Sequence, residues 1–134
     1  EDIGMADSGA LLVADAAARA VEFVGLPEAQ LNLAHAVVRL ATAPKSNRVT
    51  TALRAALVDA RAAGSGEVPA HLRDAHYGGA TGLGHGVGYL YPHDTDEGWT
   101  AQVHRPDEVE GHVYYRPSPH GDEGDLAERW PGRV

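Results

Sequence analysis

Seven of the eight histidines fall after Gly64. Four of them, His71, His76, His85 and His93, share one stretch with Asp74, Tyr77, Tyr89, Tyr91 and Asp94. Imidazoles and carboxylates at that density suit metal ligation or general acid–base chemistry. The spacing argues against a zinc set. His71 and His76 are five apart, so a helix would turn them away from each other. HExxH is absent, and there is no cysteine to complete a site. A histidine/aspartate metal-dependent hydrolase is therefore the rival enzyme reading, and histidines hydrogen-bonding an irregular backbone are the simpler one. Asp94, Asp96 and Glu97 could ligate a hard cation, but such a run is more often a solvated loop.

Gly82, Gly84, Gly86 and Gly88 alternate with other residues and invite a phosphate-loop reading. A Walker A loop needs Gly-Lys followed by Ser or Thr at a helix start. The only lysine is Lys45, preceded by Pro44 and remote in sequence from these glycines. The dinucleotide fingerprint fails as well, because Val87 occupies its third glycine position. None of Ser8, Ser46, Ser65 or Ser118 sits in a GxSxG elbow. The tyrosines and Trp99 could stack bases, yet an acidic, arginine-poor segment favours packing roles.

All this chemistry sits in VPAHLRDAHYGGATGLGHGVGYLYPHD, Val68 to Asp94. Glycine loses the most entropy on ordering and serves where positive φ or close approach is needed. Flexible Gly/Ser linkers carry no aromatics. The stretch is therefore expected to be an ordered loop, tethered by its tyrosines and histidines.

The elements that position it follow from a break near Gly64. Thirteen of 16 glycines and six of eight prolines lie beyond it. Before it, the pattern predicts three helices. The first covers Ser8–Val24, with Asp7 as N-cap, Gly25 at C′, and a polar stripe of Asp15, Arg19 and Glu22. The second starts at Pro27 and runs toward Ala43, where Pro44 stops it. Glu28, Asn32, His35, Arg39 and Thr42 form its narrow polar stripe, and apolar residues cover the remainder. The third is capped by Ser46 or Asn47 and ends near Gly64, with Val49, Ala52, Leu53, Ala56, Leu57 and Ala60 as its core face. Eighteen alanines across residues 1–63 allow close helix approach. Beyond the break, Pro69–Ala75 reads as a short helix, Trp99–Val103 as a strand or helical turn, Val113–Arg116 as a short strand, and Gly124–Trp130 as a terminal helix.

The chain has 134 residues, 43% hydrophobic and 22% charged, enough for one domain with a core. The expected organisation is one domain, 1–134, with a helical half (1–63) and a mostly irregular half (64–134). Net charge is −8, split as −1 for residues 1–63 and −7 for the remainder. Phosphate neutralisation needs the opposite sign, so direct DNA binding by this chain is not expected. No apolar run has the length of a membrane span and no signal peptide opens the chain, so a cytoplasmic location is expected. The start at Glu1, without methionine, suggests an excised fragment.

EDIGMAD (Glu1–Asp7), ATAPKSN (Ala41–Asn47), VPAHLRDAHY, LGHGVGYLYPHD and RPDEVEGHVYYRP (Arg105–Pro117) follow one another in order. In this the chain resembles, from end to end, the C-terminal domain of the MgsA/RarA-type AAA+ ATPases, the replication-associated recombination protein A family, related to the Werner-helicase-interacting ATPases. Leu90 departs from the pattern, standing where members often carry lysine between two tyrosines. The tail past Pro119 is less typical. The resemblance implies an all-α, mainly helical domain, akin to clamp-loader collar domains, that assembles the ATPase into a homotetramer. It implies that the ATP and magnesium site lies upstream and that this fragment holds no cofactor. It further implies a full-length protein acting at stalled replication forks beside single-strand-binding protein and associated with the nucleoid. The residues carrying the family motifs are Pro44, Lys45, Ser46, Asn47, His71, Arg73, Asp74, His76, Tyr77, Gly84, His85, Gly86, Gly88, Tyr89, Tyr91, Pro92 and His93. They are expected to be structural or to form a partner surface, with the 68–94 loop as an alternative docking site for a replisome protein.

Overall fold

A computed structural model describes residues 1–62 and 66–129. Among them the regular structure is entirely helical: α1 (Ala10–Phe23), α2 (Gln30–Thr42), α3 (Arg48–Arg61) and α4 (Asp122–Arg129), with short 3₁₀ turns between. The mainly helical expectation holds. Contacts divide the chain into two units, Glu1–Leu57 with Val113–Val134, and Val58–His112; the boundary falls inside α3. Residues from 113 onward thus group with the helices of the first unit.

In the first unit α1 packs chiefly against α2, and α4 against a 3₁₀ turn at Gly4–Asp7. The expected start of α1 was too early. Ile3–Asp7 is already wound into the 3₁₀ turn, and the Asp7 carboxylate is drawn to Arg39, whose Nη2 reaches its two oxygens at 2.9 and 2.7 Å. The N-cap is Gly9, without a side-chain cap. At the other end Gly25, at φ +79°, closes α1 as expected, its N–H reaching the Ala20 carbonyl at 3.3 Å. Arg19 and Asp15 on the exposed stripe of α1 pair at 2.8 Å. Pro27 is not the first residue of α2. It lies in a turn in which the Ala29 N–H bonds Gly25 O and the Gln30 N–H bonds Pro27 O, so the helix begins at Gln30. Ser46 Oγ accepts the Arg48 N–H at 3.2 Å, and the Thr51 N–H donates to Asn47 O, so both expected caps help start α3. The expected end at Gly64 lies outside the described residues.

Burial departs from the helical patterns. The buried apolar residues of the first unit are alanines: Ala6, Ala10, Ala17, Ala29, Ala36 and Ala43. No residue of α3 is buried, and Val49, Leu53 and Leu57 of its expected core face stay substantially exposed. Alanine lets two backbones approach closely, and many of the longer side chains lie outside that contact. Phe23 is 84% exposed, Leu31 80% and Leu11 77%.

The second unit has no α-helix beyond the last turn of α3. Its regular structure is 3₁₀ turns at Ala70–Leu72, Thr81–Leu83, Pro92–Asp94 and Asp107–Val109. The Pro69–Ala75 helix shrinks to one such turn because Arg73 leaves it in extended conformation. Trp99–Val103 and, in the first unit, Val113–Arg116 adopt neither strand nor helix. No helix among the described residues is long and apolar enough to cross a membrane.

Candidate functional site

Two groups of residues have side-chain geometry beyond ordinary surface placement, one in each unit. The first surrounds Glu123, whose accessible surface is 0%. Ser46 Oγ lies 2.9 Å from each of its carboxylate oxygens, Tyr115 OH donates at 2.9 Å, and the Ser118 N–H donates at 2.7 Å. Burial alone raises the pKa of this carboxyl. The hydrogen bonds from Ser118, Ser46 and Tyr115 outweigh it and hold the group below its ordinary range. The same contact pushes the Tyr115 hydroxyl up to about 12, through burial first and then its bond to Glu123.

Glu123 is placed there by a closely fitted backbone. Gly121 has φ +51°, and a Cβ on it would fall onto the Ala6 carbonyl oxygen and within 2.6 Å of Pro44 Cγ. Ser46 N–H donates to Asp2 O at 2.8 Å, and Asp122 accepts from the N–H and hydroxyl of Ser8 at 3.1 and 3.0 Å. Lys45 Nζ turns back onto the Leu40, Ala41 and Ala43 carbonyls and so neutralises the C-terminal end of α2. The N-terminal segment, the α2–α3 junction and the tail are thereby joined around one carboxylate.

The second group lies in Val58–His112. His71 Nε2 bonds the Val103 carbonyl at 2.7 Å. Arg73 donates to Val68 O and to Glu67, each at 2.7 Å. His76 sits on Asp74, with its Nδ1 at 2.8 Å and its N–H at 2.9 Å, and these bonds lower the Asp74 pKa. Tyr77 OH meets His85 Nδ1 at 2.6 Å. Gly84, Gly86 and Gly88 all take positive φ. At Gly86 the need is steric as well: a Cβ there would lie 2.5 Å from Ala75 Cβ, and its N–H bonds Ala70 O at 2.9 Å. Tyr89 and Tyr91 are about half exposed, and the Tyr91 ring stands edge-on to His93, 5.1 Å between centroids, with Pro92 between them starting a 3₁₀ turn. The loop is ordered by its histidines and arginine. Among the described residues no three His, Asp or Glu side chains gather as a metal site would require.

The motif residues therefore divide. Pro44, Lys45, Ser46 and Asn47 belong to the first unit, and His71 through His93 to the second. The sequence reading singled out none of Glu123, Tyr115, Ser118, Gly121 and Asp122: Tyr115 was only part of the Arg105–Pro117 motif, and Gly121, Asp122 and Glu123 lie in the tail past Pro119, which is less typical of the family. The hint in the sequence was a glycine followed by two acids, Gly121 and then Asp122 and Glu123 in the first turn of α4, a pattern that surface turns also show.

The family of C-terminal domains of MgsA AAA+ ATPases matches residues 1–133 of this chain. The chain belongs to that family. An uncharacterized AAA domain-containing protein of Mycobacterium tuberculosis, Rv2559c, is 57% identical over 96% of this chain and 28% of its own length. Replication-associated recombination protein A of Bacillus subtilis is 46% identical over 90% of the chain and 29% of its own length. The protein of that name from Escherichia coli K12 is 42% identical over 96% of the chain and 29% of its own length. The chain thus spans less than a third of these relatives, and the resemblance carried by its motifs is confirmed at the level of the family.

Proposed function

We propose that this chain is the self-association domain of a replication-associated recombination ATPase, holding its subunits together as a homotetramer, with ATP and magnesium bound upstream. The observation that carries the reading is the inverted burial of the helical unit. Alanines fill its interior, while Leu11, Leu12, Phe23, Leu31, Val37 and Val38 are all more than half exposed. The near-neutral charge of residues 1–63 permits copies to approach, whereas the acidic remainder repels itself. The number four comes from the family resemblance; the physics asks for burial.

The relatives named for replication-associated recombination support the wider role, in which the full-length protein acts at stalled forks and this domain contributes assembly, without chemistry. The test is solution mass by light scattering at tens of micromolar, where a tetramer is expected. Val38 is exposed on α2, so Val38→Glu leaves the protomer folded by circular dichroism and shifts the mass to monomer. A monomeric mass for the parent chain overturns the proposal.

A further inference from the structure

The second unit carries exposed large side chains of its own, outside the helices. Leu90 is held by Gln102: the side-chain amide accepts the Leu90 N–H at 3.1 Å and donates to its carbonyl at 2.8 Å, as a neighbouring strand would. Thr95 Oγ1 holds the next bend, donating to Pro92 O at 2.8 Å and accepting the Trp99 N–H at 3.2 Å. The backbone from Leu90 to Trp99 is thus held by Gln102 and Thr95, and the large side chains it carries stay about half exposed. Tyr91 is 53% exposed and Leu90 50%, with Tyr89 and Trp99 close to the same. A surface ordered in advance binds without the entropic cost of ordering.

Charge selects the occupant. Residues 58–112 hold nine carboxylates against three arginines. Arg73 is engaged by Glu67 and Val68 O, and Arg105 by Glu110 and the His112 carbonyl. Asp94, Asp96 and Glu97, which lie between Tyr91 and Trp99 in sequence, have no ion-pair partner among the described residues. Aromatic faces near carboxylates in sequence attract guanidinium and ammonium groups, while exposed Leu90 offers an aliphatic contact beside them. A phosphate backbone is repelled, and so is a second copy of the same acidic unit.

We infer that Tyr89, Leu90, Tyr91 and Trp99 form a docking surface for an arginine- or lysine-rich polypeptide segment bearing aliphatic side chains. It does not depend on the assembly proposed above.

The test is fluorescence anisotropy of the whole chain with a labelled peptide alternating arginine and leucine, at about 150 mM salt to screen long-range attraction. Saturable binding is expected, weakened roughly tenfold or more by Tyr91→Ala and separately by Leu90→Ser, both of which leave net charge unchanged. Asp15→Asn with Glu22→Gln, on α1, should leave it intact. Equal binding by the parent and both loop variants would reveal a polycation held by net charge and overturn the inference. So would absence of binding, or preference for a glutamate–leucine peptide or for oligothymidylate. Circular dichroism and the parent melting temperature establish that each variant is folded. Should Tyr91→Ala fail that check, Leu90→Ser decides alone.

Discussion

Replacing Glu123 with glutamine removes one charge and almost no volume, which isolates what the buried carboxylate contributes. Three of its donors are Ser46 Oγ, Tyr115 OH and the Ser118 N–H. Hydrogen bonds to a charged acceptor contribute about 1.5–3 kcal/mol each, against about 0.5–1.5 for neutral pairs. The amide oxygen can keep the Ser118 N–H, and the two hydroxyls can reverse to accept from the amide nitrogen. The loss is then about 1 kcal/mol per bond, partly offset because a neutral group no longer bears the desolvation of the charge. Net destabilisation of about 1–2 kcal/mol is expected for Glu123→Gln. Glu123→Ala strands all three donors and opens a cavity, so about 3–5 kcal/mol is expected. Urea denaturation at fixed protomer concentration measures both, since assembly would otherwise shift the midpoint. The sign with pH follows from linkage. The folded pKa of Glu123 is lowered from 4.5, so its contribution is full above that value and is lost as pH falls through the folded pKa. The gap between parent and Glu123→Gln should therefore close in acid. A glutamine variant as stable as the parent at neutral pH, or a gap unchanged in acid, would refute the reasoning.

Gly86→Ala should destabilise by about 2 kcal/mol or more, since it adds left-handed strain at φ +72° and a contact with Ala75 Cβ that no rotation relieves; an unchanged melting temperature would contradict this. Tyr115 has its pKa raised from 10.0 to about 12, so its stabilising contribution is full below pH 10 and lost as pH rises toward 12. Tyr115→Phe should abolish that part of the alkaline loss, measured as the difference between the two pH–stability curves. Arg39→Met leaves the buried Asp7 carboxylate without its cation and should cost about 2–3 kcal/mol. Adding Asp7→Asn should recover part of that loss, and strict additivity in the double-mutant cycle would show that the pair is not coupled.

The helices were legible because their spacing and caps are local properties. Asp15 and Arg19, Gly25, and the Ser46–Asn47 start of α3 all needed only neighbours within a turn or two. Gly86 was legible for a different reason: a glycine among bulky, tethering side chains signals a conformational demand. What periodicity could not reveal was the destination of the apolar faces. Leu53 and Leu57 repeat at core spacing, yet spacing records only that a face is apolar, and the same stripe serves an interior or an interface. Glu123 was illegible because its partners come from positions 46, 115 and 118, which nothing short of the folded chain brings to one carboxylate. Asp7 misled for a related reason. It has the identity of an N-cap and its Oδ1 still accepts the Gly9 N–H, but an arginine 32 residues later shares the carboxylate and the helix begins only after Gly9.

An alanine-lined interior also has a calorimetric consequence. Heat capacity on unfolding grows with the apolar area released to water, by about 0.45 cal/mol/K per Å². A protomer that buries mainly methyl groups releases little, so its own stability curve should be shallow and change slowly between cold and warm. The large leucine, valine and phenylalanine faces of α1, α2 and α3 would then release most of their heat-capacity increment when copies separate. If copies associate as proposed, the temperature response of this domain belongs to its association step, and dilution should flatten its melting behaviour as well as lower it.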